Sequence, residues 1–367
     1  MKTPDKLRVA IVHDWLIGGG AERVVLELHK MYPEAPIYAS YAIDEWRKKL
    51  DGKVVTGYLQ GWPFSKTRKF LPVLRAMWFS RLDLKDFDLV ISSSGAEAKG
   101  IRVPENTLHV NYCHSPTHYY WVRYDEYMKN PGFGAFNWLA RLGLKVLIVP
   151  MRRWDYKAAK RPNVIIANSS FTKDNIKKYY GRDSQVIHPP VDVERFHSNN
   201  QVARKGFVTA GRQTPYMRKD LAVVACSQLN LPLKVIGNGP EHKRLVKLAG
   251  PTIEFLTNVS DQDMPKFFQQ AEAFILPGME DFGITAVEAM AAGVPILAYE
   301  AGGSMDYVES GKTGEFFDEQ TVDSLVKALS SFDRSKFDSA IVSKQAYNYS
   351  SQAFTDKMQA LLNKELA

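Results

Sequence analysis

Short apolar runs alternate with amphipathic stretches along the whole chain. The first run, Leu7–His13, is almost wholly apolar, and Ala21–Met31 repeats its apolar residues at helical spacing. A short continuous apolar run is typical of a strand that is buried on both faces, and such strands alternate with helices in doubly wound parallel sheets. Further strands of this first series are predicted at residues 87–92, 108–113 and 163–167.

A second series of strands begins after a pair of prolines. Pro189 and Pro190 cannot continue a helix or a central strand, so we expect a hinge at this point. Beyond it, strands are predicted at 206–210, 233–236, 253–256, 273–276 and 294–298, and helices at 219–229, 262–270 and 284–292. The α/β pattern predicts two Rossmann-like domains that face one cleft. Their predicted ranges are 1–187 for the N-terminal domain, 188–204 for the hinge, 205–349 for the C-terminal domain and about 350–367 for a final helix that packs back on the first domain.

Length and composition agree with this two-domain interpretation. The chain has 367 residues, and 45% of them are hydrophobic, which excludes wholesale disorder. No apolar run approaches the roughly 20 residues of a membrane-spanning helix, and residues 1–6 show no apolar core of a signal peptide. The two cysteines form no disulfide framework and no thiolate metal cluster. We therefore expect a cytoplasmic protein.

Charge is distributed unevenly along the chain. Residues 1–187 contain 30 Lys and Arg against 18 Asp and Glu, whereas residues 188–367 contain 18 against 22. The net charge of +8 thus arises from a basic N-terminal half beside a slightly acidic C-terminal half. This asymmetry predicts that one domain faces an anionic surface.

The segment 278–290 carries the most informative candidate chemistry. It places two carboxylates, Glu280 and Glu288, eight residues apart across a glycine turn between a predicted strand and a predicted helix. Carboxylates accept hydrogen bonds from hydroxyl groups, although an acidic residue at a helix N-terminus also stabilises the helix by itself. The turn offers an anion the backbone N–H groups of Phe282, Gly283 and Ile284.

Two segments after predicted strands of the first domain carry further candidates. Gly18, Gly19 and Gly20 precede the first helix, where backbone amides can approach a phosphate or a sugar closely. Their spacing is not the G-x-G-x-x-G of a dinucleotide site, which argues against a nicotinamide enzyme. His114 follows the strand at 108–113, and we expect it to point into the cleft, although a lone histidine is more often structural.

Basic residues stand at the corresponding position of the second domain. Arg212 follows a predicted strand, and Arg218 and Lys219 open a predicted helix. Two cations there can neutralise the charge that gathers on a departing diphosphate, and a solvated surface cluster is the alternative interpretation. The glycine loop at 300–304 follows another predicted strand and is expected to close on the same ligand.

Together these residues resemble family 4 of the retaining glycosyltransferases, which have the GT-B fold. The resemblance is carried by Glu280 and Glu288, which match the family's E-x7-E pair. It is supported by Gly18–Gly20, Gly211-Arg212, His114 and the segment 289–295. The matching segments extend over most of the chain.

The resemblance implies a role for each matching residue. Glu280 is expected to contact hydroxyl groups of the donor sugar, and Glu288 to accept hydrogen bonds from the ribose hydroxyls. Arg212 is expected to bind the diphosphate, and His114 to contact the transferred sugar. Further donor contacts are implied for the amides near Phe282, Gly283 and Ile284, for Gly19 and Gly20, and, as candidates for the base and ribose, for Gly237 and Asn238.

The chain departs from the family's pattern at one position. The family commonly has a lysine five residues after the arginine, and Met217 occupies that position here. Arg218 or Lys219 must then supply the missing cation, and Arg218 is the candidate that the sequence prediction prefers.

Residues 112–121 and 280–289 are most similar to bacterial mannosyltransferases that assemble O-antigen and related surface polysaccharides. The resemblance implies that a hexose moves from GDP-mannose to a lipid-linked or oligosaccharide acceptor with retention of its anomeric configuration. The leaving diphosphate would help to remove the acceptor proton, while helix N-termini and Arg212 would stabilise the growing charge. Because these fixed positive groups can replace a metal ion, no metal and no cofactor is expected.

Two stretches suggest contact with a membrane. Trp62–Arg81 interleaves aromatic residues with basic ones, among them Arg68 and Lys69, and Phe133–Met151 is a second apolar stretch. Such interleaving suits a membrane interface, and an ordinary helix with a core face and a solvated face is the alternative. We expect peripheral docking on the inner face of the cell membrane, where a polyprenyl-diphosphate-linked acceptor would lie, and no nucleic-acid partner.

Three other functions remain open on the sequence alone. One is a glycosyltransferase that uses a UDP-sugar, and another is a sugar-nucleotide epimerase with the GT-B fold, which would act on the donor without an acceptor. A non-catalytic module that binds anions or membranes is compatible with the basic half. That module has no need of Glu280 and Glu288 at this spacing, which favours an enzyme.

Overall fold

The computed structural model describes residues 7–67, 71–129, 131, 134–197 and 202–367. Contacts divide the chain into two compact units. The first unit contains Met1–Pro190 together with Phe354–Ala367, and the second contains Val191–Ala353. The division therefore follows the proline pair directly. Residues 191–197 and 202–204 of the predicted hinge belong to the second unit, and Val191 and Phe196 are buried in its core.

Within the described part of the first unit, seven parallel strands form one sheet in the order β3-β2-β1-β4-β5-β6-β7. Strand β4 lies between β1 and β5 and is buried along its whole length, which explains its nearly continuous apolar start, Leu89–Ile91. The strands are β1 (Val9–His13), β2 (Ile37–Ala39), β3 (Val54–Val55), β4 (Leu89–Ser94), β5 (Leu108–Cys113), β6 (Val164–Ala167) and β7 (Gln185–Val186).

Helices connect these strands. Helix α1 begins after Gly20, carries Glu22 in its first turn and His29 and Lys30 in its last turn, and buries one apolar face. This distribution of charge complements the helix dipole. The helices of the first unit are α1 (Ala21–Met31), α2 (Asp44–Lys49), α3 (Phe64–Thr67), α4 (Pro72–Phe79), α5 (Tyr124–Lys129), α6 (Asn137–Ala158) and α7 (Ser170–Tyr180).

The second unit repeats the architecture with six parallel strands within its described residues, in the order β10-β9-β8-β11-β12-β13. Its strands are β8 (Phe207–Ala210), β9 (Leu233–Ile236), β10 (Ile253–Leu256), β11 (Ala273–Leu276), β12 (Ile296–Tyr299) and β13 (Gly314–Phe317). Its helices are α8 (Lys219–Gln228), α9 (His242–Leu248), α10 (Met264–Gln269), α11 (Ile284–Ala291), α12 (Val322–Ser331) and α13 (Ser339–Ala346). The prediction of two doubly wound parallel sheets is confirmed.

The last helix, α14 (Ser351–Leu366), packs on the first unit. Phe354, Met358, Leu361 and Leu362 repeat at helical spacing and are buried in the hydrophobic core that also contains β1 and α1. Burial of an aliphatic or aromatic side chain contributes about 1.5–3 kcal/mol, so this apolar face is sufficient to hold the end of the chain on the first unit.

Candidate active site

The turn between β11 and α11 holds the predicted carboxylate motif. Gly283 adopts a left-handed conformation (φ +96°, ψ 58°) and caps the N-terminus of α11. The following glycine loop packs on the turn, since the N–H of Gly303 donates to the carbonyl of Glu280 at 2.9 Å. A Cβ on Gly302 would lie 2.6 Å from the same carbonyl oxygen, so glycine is needed for this close approach. The loop at 300–304 thus closes on the Glu280 turn.

The two glutamates occupy different environments. Glu280 lies in the turn and is half-buried, whereas Glu288 lies one turn inside α11 and is 3% exposed. The guanidinium of Arg195 lies 3.4 Å from Glu288, measured from Nη2 to Oε1. Arg195 is therefore a component of this site that the sequence did not predict. Phe282 is buried in the core beside Tyr307, so it can offer a ligand its backbone and not its ring.

Lys219 is the most unusual group of the second unit. It is the first residue of α8 and is only 3% exposed. Its ammonium lies 3.4 Å from the hydroxyl of Thr209, and no carboxylate in the described ranges lies within salt-bridge distance of it. Burial lowers the pKa of Lys219 to about 7, against which the charge of Glu280 acts to raise it. A cation at the positive end of a helix dipole is disfavoured further, so this lysine lies where an anion would stabilise it.

The neighbouring cations differ from Lys219. Arg218 takes a left-handed conformation and caps α8, and its Nε lies 3.2 Å from Asp220 Oδ1 while Nη1 reaches Gln320. Arg212 follows Gly211, which has φ +110°, and its exposed side chain makes no hydrogen bond or ion pair with the residues that the structure describes. Arg218 is thus already committed, whereas Arg212 is available to a ligand.

The loops after β8 and β9 are joined by Gln213, which the sequence did not single out. Its side chain is fully buried and donates to the carbonyl of Gly237 at 2.7 Å, and its N–H donates to the carbonyl of Asn238 at 2.9 Å. Gly237 has φ +108° and Asn238 is exposed. The side-chain oxygen of Gln213, Oε1, lies 2.9 Å from His242 Nδ1.

The parallel sheet brings these second-unit residues to one edge. Strands β9, β8, β11 and β12 are neighbours, and their carboxyl ends lie on the same side. We call this the carboxyl edge of the second unit. The turn after β11 packs directly on the segment after β8, since a Cβ on Gly278 would lie 2.8 Å from Met217 Cα. Ligands bind open α/β sheets at this end.

In the first unit His114 lies at the carboxyl end of β5. Its Nε2 is 2.7 Å from the hydroxyl of Ser93, whose carbonyl accepts a hydrogen bond from His13 Nδ1, also at 2.7 Å. The rings of His13 and His114 pack edge to face with centroids 6.1 Å apart. The sequence identified His114 but neither of these two partners. Adjacent carboxyl ends of β1, β4 and β5 make this cluster.

In the glycine turn before α1, a buried side chain accepts hydrogen bonds from two backbone amides. The carboxylate of Glu22, which is 4% exposed, accepts hydrogen bonds from the N–H groups of Ile17 at 3.1 Å and Gly18 at 2.9 Å. These two amides are therefore satisfied within the protein and do not await a phosphate. Gly19 and Gly20 are exposed, and their contact with a ligand stays a prediction.

Two buried ion pairs hold the remaining carboxyl-end loops of the first unit. Arg75 Nε lies 2.8 Å from Glu97, and Lys99 Nζ lies 2.6 Å from Asp155, and all four side chains are at most 2% exposed. Tyr119 donates to Glu97 at 2.6 Å. These pairs fix the loops that follow β4 and β5.

The two stretches predicted to contact a membrane differ in exposure. In Trp62–Arg81, Arg75, Trp78 and Phe79 are buried, so this stretch is not an exposed surface as a whole, because α4 packs its apolar face on the sheet. Arg68, Lys69 and Phe70 lie outside the described residues.

Helix α6, in contrast, turns apolar side chains to solvent. Trp138, Leu142, Val146 and Val149 follow one another at spacings of four, four and three residues and are each more than half exposed. Exposed Lys145 adds a positive charge to this helix. We call these five residues the α6 face. Phe133, at the start of the predicted stretch, lies outside the described residues.

The described residues contain neither a metal-binding cluster nor a helix that could span a membrane. No group of three or more His, Cys, Asp or Glu side chains in those ranges is arranged to hold a metal ion. Every helix described is too short or too polar to cross a bilayer. The absence of a metal requirement and the ligand roles of the site residues stay predictions.

Two family models match the chain. One, described as Glycosyltransferase Family 4, matches residues 18–195, and the other, described as Glycosyl transferases group 1, matches residues 190–362. The junction of the two matches lies close to the division between the structural units.

Curated relatives resemble part of the chain. A D-inositol 3-phosphate glycosyltransferase of Streptomyces avermitilis is 29% identical over 185 residues, which cover 41% of this chain and 40% of the relative. A GDP-mannose-dependent alpha-(1-6)-phosphatidylinositol monomannoside mannosyltransferase of Mycobacterium tuberculosis is 27% identical over 198 residues, which cover 46% of this chain and 51% of the relative. The matched segments span about half the length of these relatives.

Solved structures share the fold over nearly the whole chain. Anabaena Alr3699/HepE, crystallised with UDP and glucose, has a TM-score of 0.70 at 17% identity and covers 97% of this chain and 99% of its own. Sucrose-phosphate synthase from Thermosynechococcus elongatus has a TM-score of 0.69 at 16% identity, with 98% of both chains covered. The two parallel-sheet units have the GT-B fold, and the chain belongs to the glycosyltransferases, with a family 4 first half and a group 1 second half.

Proposed function

We propose that this enzyme transfers a hexose from a nucleoside diphosphate sugar to a hydroxyl group of a lipid-linked or oligosaccharide acceptor in the biosynthesis of a surface polysaccharide. The observation that carries the proposal is Lys219, a buried ammonium at a helix N-terminus with no carboxylate within salt-bridge distance among the described residues. Burial of a charge without a counterion is costly, so the site is built for an anion that arrives with the substrate.

A diphosphate is the anion that fits this position. The N-termini of α8 and α11 lie on the same carboxyl edge, and exposed Arg212 follows the neighbouring strand β8. Helix N-termini and arginine both bind phosphate oxygens. The charge of Glu280 acts to raise the pKa of Lys219, which supports placing this carboxylate, the proposed ligand of the sugar hydroxyls, near the same ammonium. We therefore prefer Lys219 to Arg218 as the cation that replaces the lysine missing at Met217.

The reaction follows from these positions. The bond between the anomeric carbon and the diphosphate oxygen breaks, the acceptor oxygen bonds to the same face of the anomeric carbon, and the acceptor proton passes to the leaving diphosphate. Lys219, Arg212 and the N-terminus of α11 stabilise the charge of the leaving group, and these fixed charges make a metal ion unnecessary in the proposed mechanism. Glu280 orients the sugar hydroxyls and Glu288 the ribose hydroxyls. His114 of the first unit contacts the transferred sugar.

GDP-mannose is the proposed donor. The mannosyltransferase of Mycobacterium tuberculosis that resembles this chain is named as GDP-mannose-dependent, which supports the guanine nucleotide. UDP-sugars are the alternative, because the structurally similar Anabaena Alr3699/HepE was crystallised with UDP and glucose.

A panel of nucleotides tests the donor. Thermal unfolding in the presence of GDP, UDP, ADP, GDP-mannose and UDP-glucose is expected to show selective stabilisation by GDP and GDP-mannose. Selective stabilisation by UDP would indicate that the donor is a UDP-sugar and not GDP-mannose. No stabilisation by any nucleoside diphosphate would refute a nucleotide-sugar enzyme, and conversion of the donor to an epimer without acceptor would indicate an epimerase.

We also propose that the first unit docks on an anionic membrane that carries the acceptor, at the inner face of the cell membrane. The α6 face supports this, because it combines exposed apolar side chains with a basic residue in a half of the chain that has an excess of Lys and Arg. Sedimentation with vesicles of anionic lipid at low salt is expected to pellet the protein. The double variant Leu142→Ser, Val146→Ser is expected to stay in solution, whereas Val246→Ser on α9, an exposed apolar residue of the second unit, serves as the control. Equal pelleting of both variants would refute the proposal that the α6 face docks on the membrane.

A further inference from the structure

Glu288 is the one charged residue of α11, whose eight residues all lie in the described part of the chain. Its neighbours Val287, Ala289 and Met290 are fully buried, and Glu288 itself is 3% exposed. A carboxylate in such apolar surroundings is costly unless a cation or several donors compensate it. The guanidinium of Arg195 lies against it, with Nη2 3.4 Å from Oε1.

The position of Arg195 is fixed by its own segment. Residues Glu194–Phe196 form a single turn of 3-10 helix that follows the entry into the second unit. The ring of Phe196 is fully buried and stacks on Phe268 with centroids 5.6 Å apart. The guanidinium of Arg195 lies over the Phe196 ring at 4.5 Å. The packing of Phe196 therefore holds Arg195 on the side of Glu288.

The hydrogen bonding of Arg195 is incomplete. Its Nε is buried and makes no hydrogen bond to any residue that the structure describes, and the nearest oxygen of Asp192 is 3.8 Å from that atom. The contact to Glu288 is at the long end of the hydrogen-bond range. A carboxylate has about four lone-pair sites, so the long contact from Arg195 to Oε1 does not by itself prevent Glu288 from accepting hydrogen bonds from hydroxyls.

We propose that Arg195 is a positioning residue that holds the Glu288 carboxylate in the orientation in which it accepts the two ribose hydroxyls of the donor. The inference rests on the proposed role of Glu288 in donor binding. Arg195 lies 93 residues before Glu288 in the chain, in the segment that enters the second unit. The proposal therefore gives that segment a part in nucleotide recognition. A purely structural ion pair is the competing explanation.

The test uses nucleotides that differ only in the hydroxyls. Affinities of the whole protein for GDP and UDP are compared with those for 2′,3′-dideoxy-GDP and 2′,3′-dideoxy-UDP, for the wild type and for Arg195→Gln. We expect Arg195→Gln to weaken binding of the preferred nucleotide about tenfold, the equivalent of one hydrogen bond to a charged group, and to leave binding of its dideoxy form unchanged. The donor KM should rise by the same factor while kcat changes little. Glu194→Gln, an exposed change on the same turn, is the matched control.

Other outcomes are equally informative. An equal loss for both forms of the nucleotide would show that Arg195 does not act through the diol and would overturn the proposal. A lower unfolding temperature with unchanged affinity would make the pair purely structural and would also overturn it. Arg195→Lys should restore part of the affinity for the ribose form alone. If the wild type binds no nucleoside diphosphate at all, the proposed function fails before Arg195 is tested.

Discussion

The loops at the carboxyl edge of the sheet are held in place differently in the first unit and in the second. In the first unit, buried ion pairs hold the loop after β4 against helices α4 and α6, as in Arg75–Glu97 and Lys99–Asp155. In the second unit, close backbone approaches at glycines such as Gly302 and Gly278 hold the corresponding loops. At the carboxyl edge of the first unit, which we call the first edge, internal carboxylates neutralise both of these buried cations. At the carboxyl edge of the second unit, the second edge, Lys219 has no carboxylate within salt-bridge distance among the described residues.

This difference separates structural charges from charges that await a ligand. A buried ion pair with complete hydrogen bonding rigidifies the loops that it joins and needs nothing further. A buried ammonium with one long contact to a neutral hydroxyl is a destabilising feature unless another molecule supplies the counter-charge. Burial and charge alone do not identify a binding site, since Lys99 and Lys219 share both, and the presence of an internal partner distinguishes them.

The largest expected effect is on the first edge. Asp155 accepts hydrogen bonds from Lys99, Thr117, Trp121 and Tyr180 at 2.6–2.9 Å. Asp155→Asn leaves the ammonium of Lys99 buried without a counter-charge, so we expect the free energy of unfolding to fall by about 3–5 kcal/mol. Urea denaturation followed by circular dichroism measures this loss.

The exposed pair Lys177–Asp183 supplies the control for Asp155→Asn. Asp183→Asn is expected to cost less than about 1 kcal/mol, because the pair is solvated. A similar small loss for Asp155→Asn would show that the first edge does not depend on its ion pairs.

The second-largest effect concerns Lys219. Lys219→Met removes the proposed counter-charge of the diphosphate, and we expect affinity for the preferred nucleoside diphosphate to fall between about tenfold and a hundredfold. The unfolding temperature without ligand should not fall, because a desolvated ammonium is replaced by an apolar chain. Isothermal titration calorimetry measures the affinity.

Two further variants make the Lys219 test specific. Arg218→Met is the matched control and should change affinity little, because Arg218 is committed to Asp220 and Gln320. Adding Met217→Lys to Lys219→Met should restore part of the affinity if the two positions serve one phosphate site. A larger loss of affinity in Arg218→Met than in Lys219→Met would show that Arg218, and not Lys219, is the cation that binds the diphosphate.

The fold was largely predictable because its signal is local. Buried parallel strands are continuous apolar runs, and those at 108–113, 233–236, 253–256 and 273–276 agree with the observed strands at both ends. The strands Ile37–Ala39, Val54–Val55 and Gln185–Val186 were not predicted, since two or three residues carry no clear periodicity. Gly314–Phe317 was not predicted either, because Glu315 interrupts its apolar run. In Trp62–Arg81 the interleaved charges hid the buried face of α4.

The site was predictable only in part because its partners are distant in sequence. Turns that follow strands identify Glu280 and His114, and the helix register identifies Glu288. Neither pattern contains Arg195 or Ser93, which reach the site through the tertiary fold. The choice between Arg218 and Lys219 depends on the burial of Lys219 and on the contacts of Arg218 with Asp220 and Gln320, which a periodic pattern does not contain.

A pair of glycines tests the packing of the second edge. Gly302 and Gly311 both have positive φ, +82° and +74°, but a Cβ meets the Glu280 carbonyl at Gly302 and no atom within 4 Å at Gly311. Replacement by alanine should cost about 1 kcal/mol of backbone strain at either position and about 1–3 kcal/mol more at Gly302. Urea denaturation compares the two, and only Gly302→Ala should also weaken nucleotide binding. Equal effects would mean that the glycine loop does not shape the Glu280 turn.

The smallest expected effect is a dependence on pH that belongs to the second edge alone. Burial lowers the pKa of Lys219 from 10.5 to about 7, so the free protein loses this charge as the pH rises above 7. A bound diphosphate favours the charged form of Lys219, so binding above pH 7 must take up a proton. The affinity for the diphosphate therefore falls as the pH rises from 7 to 9, by less than about tenfold per pH unit. The stability of the ligand-free protein follows the opposite trend. Between pH 7 and 10.5 the unfolded chain binds more protons than the folded chain, so the destabilising contribution of Lys219 to the free energy of unfolding decreases as the pH rises. Calorimetry in two buffers of different ionisation enthalpy measures the proton uptake. Lys219→Met should abolish it, and an uptake that persists in this variant would place the titrating group elsewhere.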